Sequence, residues 1–138
     1  MISLIISSCT QQKSSPIEGA WQFVSSKAMA GDTLISQFPR TNYLGSDIKM
    51  WSKNHFVFVG RFKSDTTFSD NYGGGTYKLD GNRYEESILY HTNTSAVGMK
   101  VKMLLEIMND TLIQTYPVDD NCQIDKSGYY VEKYKKLD

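Results

Sequence analysis

Large apolar side chains recur at every second position along most of the chain, in short stretches that end at turn-forming residues, which is the pattern of half-buried β-strands. Residues 19–25 set Trp21 and Phe23 on one face of a first strand. The alternation lapses over 31–45, where Gly31, Asp32, Pro39 and Gly45 predict a long loop with room for a helical turn across one end of the fold. It resumes over 48–53 and 55–62, two strands separated by little more than Asn54. In the second of these Phe56, Phe58 and Phe62 share a face with Gly60, while His55, Val57, Val59 and Arg61 take the other. A glycine inside such a strand predicts a bend or bulge at Gly60.

Residues 63–72 are polar and predict a loop. The stretch GGGTYKLDGNRYEESILYH over 73–91 reads as a hairpin, with a strand at 75–79, a turn at Asp80-Gly81 and a second strand at 83–91. The second strand groups Tyr84, Glu86, Ile88 and Tyr90 on one face. Small polar residues over 92–98 turn the chain into a strand at 99–107, with Met99, Val101, Met103, Leu105 and Ile107 opposite Lys100, Lys102 and Glu106. Asn109-Asp110 makes a turn into a strand at 111–116, an acidic loop over 118–127 holds Cys122, and a last strand at 129–136 carries Glu132 and Tyr134. Eight or nine strands without an amphipathic helix predict an all-β, antiparallel up-and-down barrel, because closure removes exposed strand edges.

A chain of 138 residues, 40% of them hydrophobic, suits one core, so a single domain over 17–138 is expected behind a short leader and tether at 1–16. Lys and Arg number 15 and Asp and Glu number 15, which leaves no net field to draw in nucleic acid. Nothing in the motifs points to a cofactor or a metal. There is no Gly-x-Ser-x-Gly elbow and no HxH, HExxH or CxxC spacing, and a strand follows Gly73-Gly74-Gly75 where a phosphate loop needs a helix.

Residues 1–8, MISLIISS, are an apolar run with small residues before Cys9, and Ile6-Ser7-Ser8-Cys9 resembles the lipobox of a bacterial lipoprotein. That resemblance implies a lipidated Cys9, a membrane anchor in the bacterial cell envelope facing the periplasm or the surface, and a polar tether after it. Cys122 would then be a free thiol. The alternatives are a single disulfide between the two cysteines and a frayed hydrophobic N-terminus on a cytosolic protein.

Five segments in order carry a wider resemblance: Gly19-x-Trp21; Lys49-x-Trp51-Ser52 with His55-Phe56-Val57-Phe58-Val59; Gly73-Gly74-Gly75-Thr76-Tyr77; Tyr84-x-Glu86-x-Ile88-x-Tyr90; and Val131-Glu132-Lys133-Tyr134-Lys135. From residue 17 onward the chain resembles a short bacterial lipocalin-like family of the calycins, many of them lipoproteins of unassigned function. The resemblance implies a barrel closed at its base near Gly19 and Trp21, with a mouth that admits a small apolar molecule. Lysines of the last strand stand where lipocalins set an arginine against the first-strand tryptophan.

The expected ligand-lining residues are Phe56, Phe58, Tyr77, Tyr84, Glu86 and Tyr90, joined by Met103, Glu132 and Tyr134 from other strands. If the Tyr84–Glu86 face points inward, a carboxylate lies among phenols, where it could fix a ligand's head group or be satisfied by the phenols themselves. Three readings follow: a binder of a small hydrophobic or amphipathic molecule, an interaction module whose barrel is filled by side chains, and an enzyme using Glu86 or His55 as acid or base.

Overall fold

The computed structural model describes residues 14–138. Nine strands run in chain order: β1 (Gly19–Ala30), β2 (Thr33–Phe38), β3 (Tyr43–Trp51), β4 (His55–Ser64), β5 (Thr67–Asp80), β6 (Arg83–His91), β7 (Lys100–Met108), β8 (Thr111–Tyr116) and β9 (Tyr129–Lys136). Every pairing is antiparallel, each strand from β3 to β9 pairs with the next, and β9 returns to pair with β1. The result is a closed eight-stranded barrel of lipocalin-like form with β2 as an extra strand. One edge of β1 is divided between two partners, β3 along 19–22 and β2 along 26–30. The only helical turn among the described residues is a 3₁₀ turn at Thr94–Ala96.

Two expected loops are mostly strand. The 31–45 segment holds β2 and the start of β3, because Gly31 and Asp32 form a tight reversal, with Gly31 at φ +58°. Of the six residues of β2 only Phe38 is buried, so the burial alternation that would have revealed a strand is missing. Likewise β5 starts at Thr67, since the turn after β4 is only Asp65 and Thr66, with Asp65 at φ +52°. Residues 67–70 are exposed on both faces and held by the ladder to β4, and a ladder leaves no hydrophobic trace in sequence.

Gly60 is not a bulge. Its register to both β3 and β5 is unbroken, and it faces Asp47 across the ladder. A Cβ at this position would lie 2.3 Å from the Asp47 Cβ, so the missing side chain is what leaves space for Asp47. The bulge is instead in β6: Gly75 pairs with Ile88 and Gly74 with Tyr90, leaving Leu89 as the extra residue. Beyond it the inward and outward faces of β6 exchange.

The base of the barrel is filled. Trp21 is fully buried and its Nε1 donates to the Ile17 carbonyl at 3.0 Å, so the segment entering β1 plugs the bottom with the fully buried Ile17. Trp51, Phe56, Tyr84, Leu105 and Leu112 pack above it. The Lys136 Nζ lies 5.3 Å from the centre of the Trp21 ring, so a lysine of the last strand does cover the first-strand tryptophan. Space inside the barrel lies above this layer.

Candidate functional site

On β3, Ile48 and Met50 point outward, which turns Asp47, Lys49 and Trp51 inward. Lys49 is 5% exposed, and its ammonium makes an ion pair with Glu86 and a 3.5 Å contact to Gln114 Oε1. It also lies 5.0 Å from the ring centres of both Trp51 and Phe56. The same Glu86 oxygen accepts from the Tyr84 hydroxyl at 2.9 Å, and that hydroxyl accepts from Trp51 Nε1 at 2.6 Å. Glu86 is therefore held by a cation and a phenol in a chain of bonds spanning β3 and β6. Burial first, and then the negative charge of Glu86, push the Tyr84 phenol far above its ordinary range, so it stays a proton donor.

A second carboxylate, Glu132, is satisfied without a cation. Its two oxygens accept from the Tyr116 hydroxyl at 2.7 Å and the Tyr134 hydroxyl at 2.8 Å. Burial, followed by the Glu132 charge, raises both phenols. Asp47 is the third. It is 9% exposed, one oxygen accepts from Asn71 Nδ2 at 3.2 Å, and the other, Oδ1, is buried with no partner among the described residues. Burial raises its pKa to about 6, the Glu132 charge adds to the rise, and the Asn71 bond and the Lys49 charge oppose it.

Two cavities meet at these groups. One, of about 260 Å³, is walled by Lys49, Glu86, His91, Ile88, Val101 and Met103 among others. The second, of about 300 Å³, is walled by the rings of Phe23, Phe38, Tyr43 and Phe62. Asp47, Asn71, Glu132 and Tyr134 line both and form their common wall. The first cavity is the charged one, with Lys49 and Glu86; the second is the aromatic one, its rings packing edge-on and stacked at 5.2 to 6.3 Å between centres, and Ser26, Ser69 and the Arg61-paired Asp70 also line it.

Of the residues expected to line a ligand site, Phe58, Glu86, Met103, Glu132 and Tyr134 do line the charged cavity. Phe56, Tyr77 and Tyr84 lie in the packed core and line neither of these two cavities. The Tyr77 hydroxyl donates to the Ser52 carbonyl at 2.7 Å, tying β5 to the turn after β3. Tyr90 is a correction: it is 70% exposed on the outside of the barrel, because the bulge at Leu89 reverses the alternation. His91 takes the inward place, with its ring 5.5 Å from that of Phe58 and its Nδ1 accepting from the Asn93 backbone at 2.9 Å. His55 is exposed at the base end, away from both cavities.

Asp47, Lys49, Asn71 and Tyr116 escaped the sequence reading. A usable signal for the first two was the step of two back from Trp51, whose indole type favours burial, through Lys49 to Asp47. Cys9 lies outside the described residues, and Cys122 is half-buried in the loop before β9. Among the described residues no group of three or more His, Cys, Asp or Glu side chains could hold a metal ion. No family model matches the chain, and no curated protein is significantly similar to it.

Proposed function

We propose that this protein binds a small amphipathic molecule inside its barrel, as a lipocalin-like lipoprotein of the bacterial cell envelope anchored through Cys9. The observation that carries the binding reading is the pair of adjoining cavities with a common polar wall above a filled base. Each is near the small end of the range for ligand sites, roughly 300 to 1,000 Å³. Apolar surface moved from water into such a site gains about 25 cal/mol per Å². Buried polar groups at fixed positions then orient whatever enters.

The interaction-module reading has one observation in its favour. Ile48, Met50, Val57, Val59, Tyr72 and Tyr90 are exposed on neighbouring outer positions of β3 to β6. The enzyme reading has less: Glu86 is already ion-paired and His55 is far from the cavities. Support for the anchor is the lipobox-like Ile6-Ser7-Ser8-Cys9 and the polar stretch after it.

Titrating the full chain with N-phenyl-1-naphthylamine, a neutral dye that brightens in apolar surroundings, tests the binding reading. Saturable one-site binding, weakened by Met103→Trp, which fills the charged cavity, is expected. A folded protein that takes up no dye would overturn it. Exported behind a complete bacterial signal, the protein should fractionate with membranes and its Cys9→Ser variant should not; equal partitioning would remove the anchor.

A further inference from the structure

We infer that the ligand is a small amphipathic organic cation, its ammonium received by Asp47 at the wall between the cavities and its apolar body lying among Phe23, Phe38, Tyr43 and Phe62. This rests on the reading of the barrel as a small-molecule binder and names the chemistry of the ligand.

The first support is the orphan oxygen. Asp47 is nine-tenths buried and lines both cavities, yet its buried Oδ1 has no hydrogen-bond partner among the described residues. Native proteins satisfy nearly all such atoms, and an ionised carboxylate oxygen is among the costliest to leave bare. The side chains near it are engaged elsewhere. Tyr116 and Tyr134 each have one hydroxyl proton, and both donate it to Glu132. The Asn71 amide donates to the other Asp47 oxygen, and its carbonyl accepts from Thr92 at 3.3 Å.

The second support is the charge around the space. Among the described residues Lys49 is the only lysine or arginine lining either cavity, against four carboxylates, Asp47, Glu86, Glu132 and Asp70, the last paired with Arg61. Its ammonium is paired with Glu86. Among the described residues Asp47 and Glu132 make no ion pair, so the common wall holds acidic groups without a paired cation. Gly60 adds to this, since its bare backbone is what admits Asp47 to the interior.

The third support is where the apolar body can go. A cation would be repelled from the charged cavity by Lys49, whereas the aromatic cavity opens from the other side of the same wall. Its rings bury hydrocarbon and present π faces that attract positive charge. A neutral alcohol gains the ring contacts and donates only an uncharged hydrogen bond to the acidic wall, and an anion is repelled by it.

Three probes of matched shape separate the possibilities: 2-phenylethylamine as the cation, 2-phenylethanol as its neutral counterpart and 3-phenylpropanoate as the anion. Affinities are read by calorimetry on the full chain at pH 7.5, alongside the neutral dye. The amine should bind roughly tenfold to a hundredfold more tightly than the alcohol, the span set by one charge-assisted hydrogen bond to a buried carboxylate, and the anion should bind weakest. In Asp47→Asn the ratio of amine to alcohol affinity should collapse to about one. Loss of a buried charge favours that variant's folding, and its melting curve reports this independently. Equal binding of amine and alcohol, or a preference for the amine that survives Asp47→Asn, overturns the inference while leaving the binder reading intact. If neither the dye nor any probe binds the folded chain, the binder reading falls and takes this inference with it.

Discussion

Glu86 and Asp47 are both carboxylates inside one barrel, on facing walls of one cavity, and they are treated in opposite ways. Glu86 has a lysine, a phenol and, through the phenol, an indole. Asp47 has one amide and an empty oxygen. The first is a closed network in which every strong group has an answer, which is how buried charges are stabilised. The second is a buried charge left partly unanswered, and its raised pKa of about 6 registers that cost. The difference separates polarity that is answered within the chain from polarity that is not: Glu86 holds β6 to β3, whereas Asp47 keeps a buried oxygen that no described residue answers.

The contrast breaks most visibly at Lys49. Lys49→Met leaves Glu86 buried without its cation, and urea unfolding should show a loss of about 3 to 5 kcal/mol. Adding Glu86→Leu to that variant should recover most of the loss, because an apolar pair needs no desolvation of charge. A double variant no more stable than Lys49→Met would mean that packing around the lysine stem, rather than the ion pair, sets the effect.

Asp47 should respond with the opposite sign. Its folded pKa lies above the unfolded value of 3.8, so the folded protein holds the proton more tightly and folding loses stability as pH rises. The penalty is absent below about pH 4, grows between about 4 and 6, and is complete above that, reaching roughly 3 kcal/mol. Asp47→Asn should therefore be more stable than the parent at pH 7.5 and equal to it at pH 3.5. Denaturant melts at several pH values check this, and a variant less stable at every pH would show that Asp47 is satisfied after all.

The smallest effect sharpens the boundary of the site. Tyr90→Ser, on the outer face, should shift stability by no more than about 0.5 kcal/mol and leave dye affinity within experimental error. A large loss of binding there would put the bulge at Leu89 in the wrong place.

Much of the barrel was legible from two-residue alternation. That pattern marked Trp21 and Phe23, the Phe56–Phe62 face, Tyr84 with Glu86, Met103 with Leu105, and Glu132 with Tyr134, and the structure buries or half-buries each of them. Burial on one face is a local property of a strand, so the composition of that strand records it. β2 and the first half of β5 left no such record, since their residues are held by ladder hydrogen bonds with little burial.

The sequence by itself determined an antiparallel all-β barrel and which residues share a strand face, because side-chain period and turn chemistry are read within a few residues of chain. Tertiary structure alone decided that Tyr90 faces out and His91 in, that Asp47 enters beside Gly60, and that Lys49 meets Glu86 across 37 positions of sequence. Each of these depends on the register of one strand against another. A buried lysine or aspartate reads as a surface residue until the partner that accompanies it, or fails to, is brought alongside by the closing of the barrel.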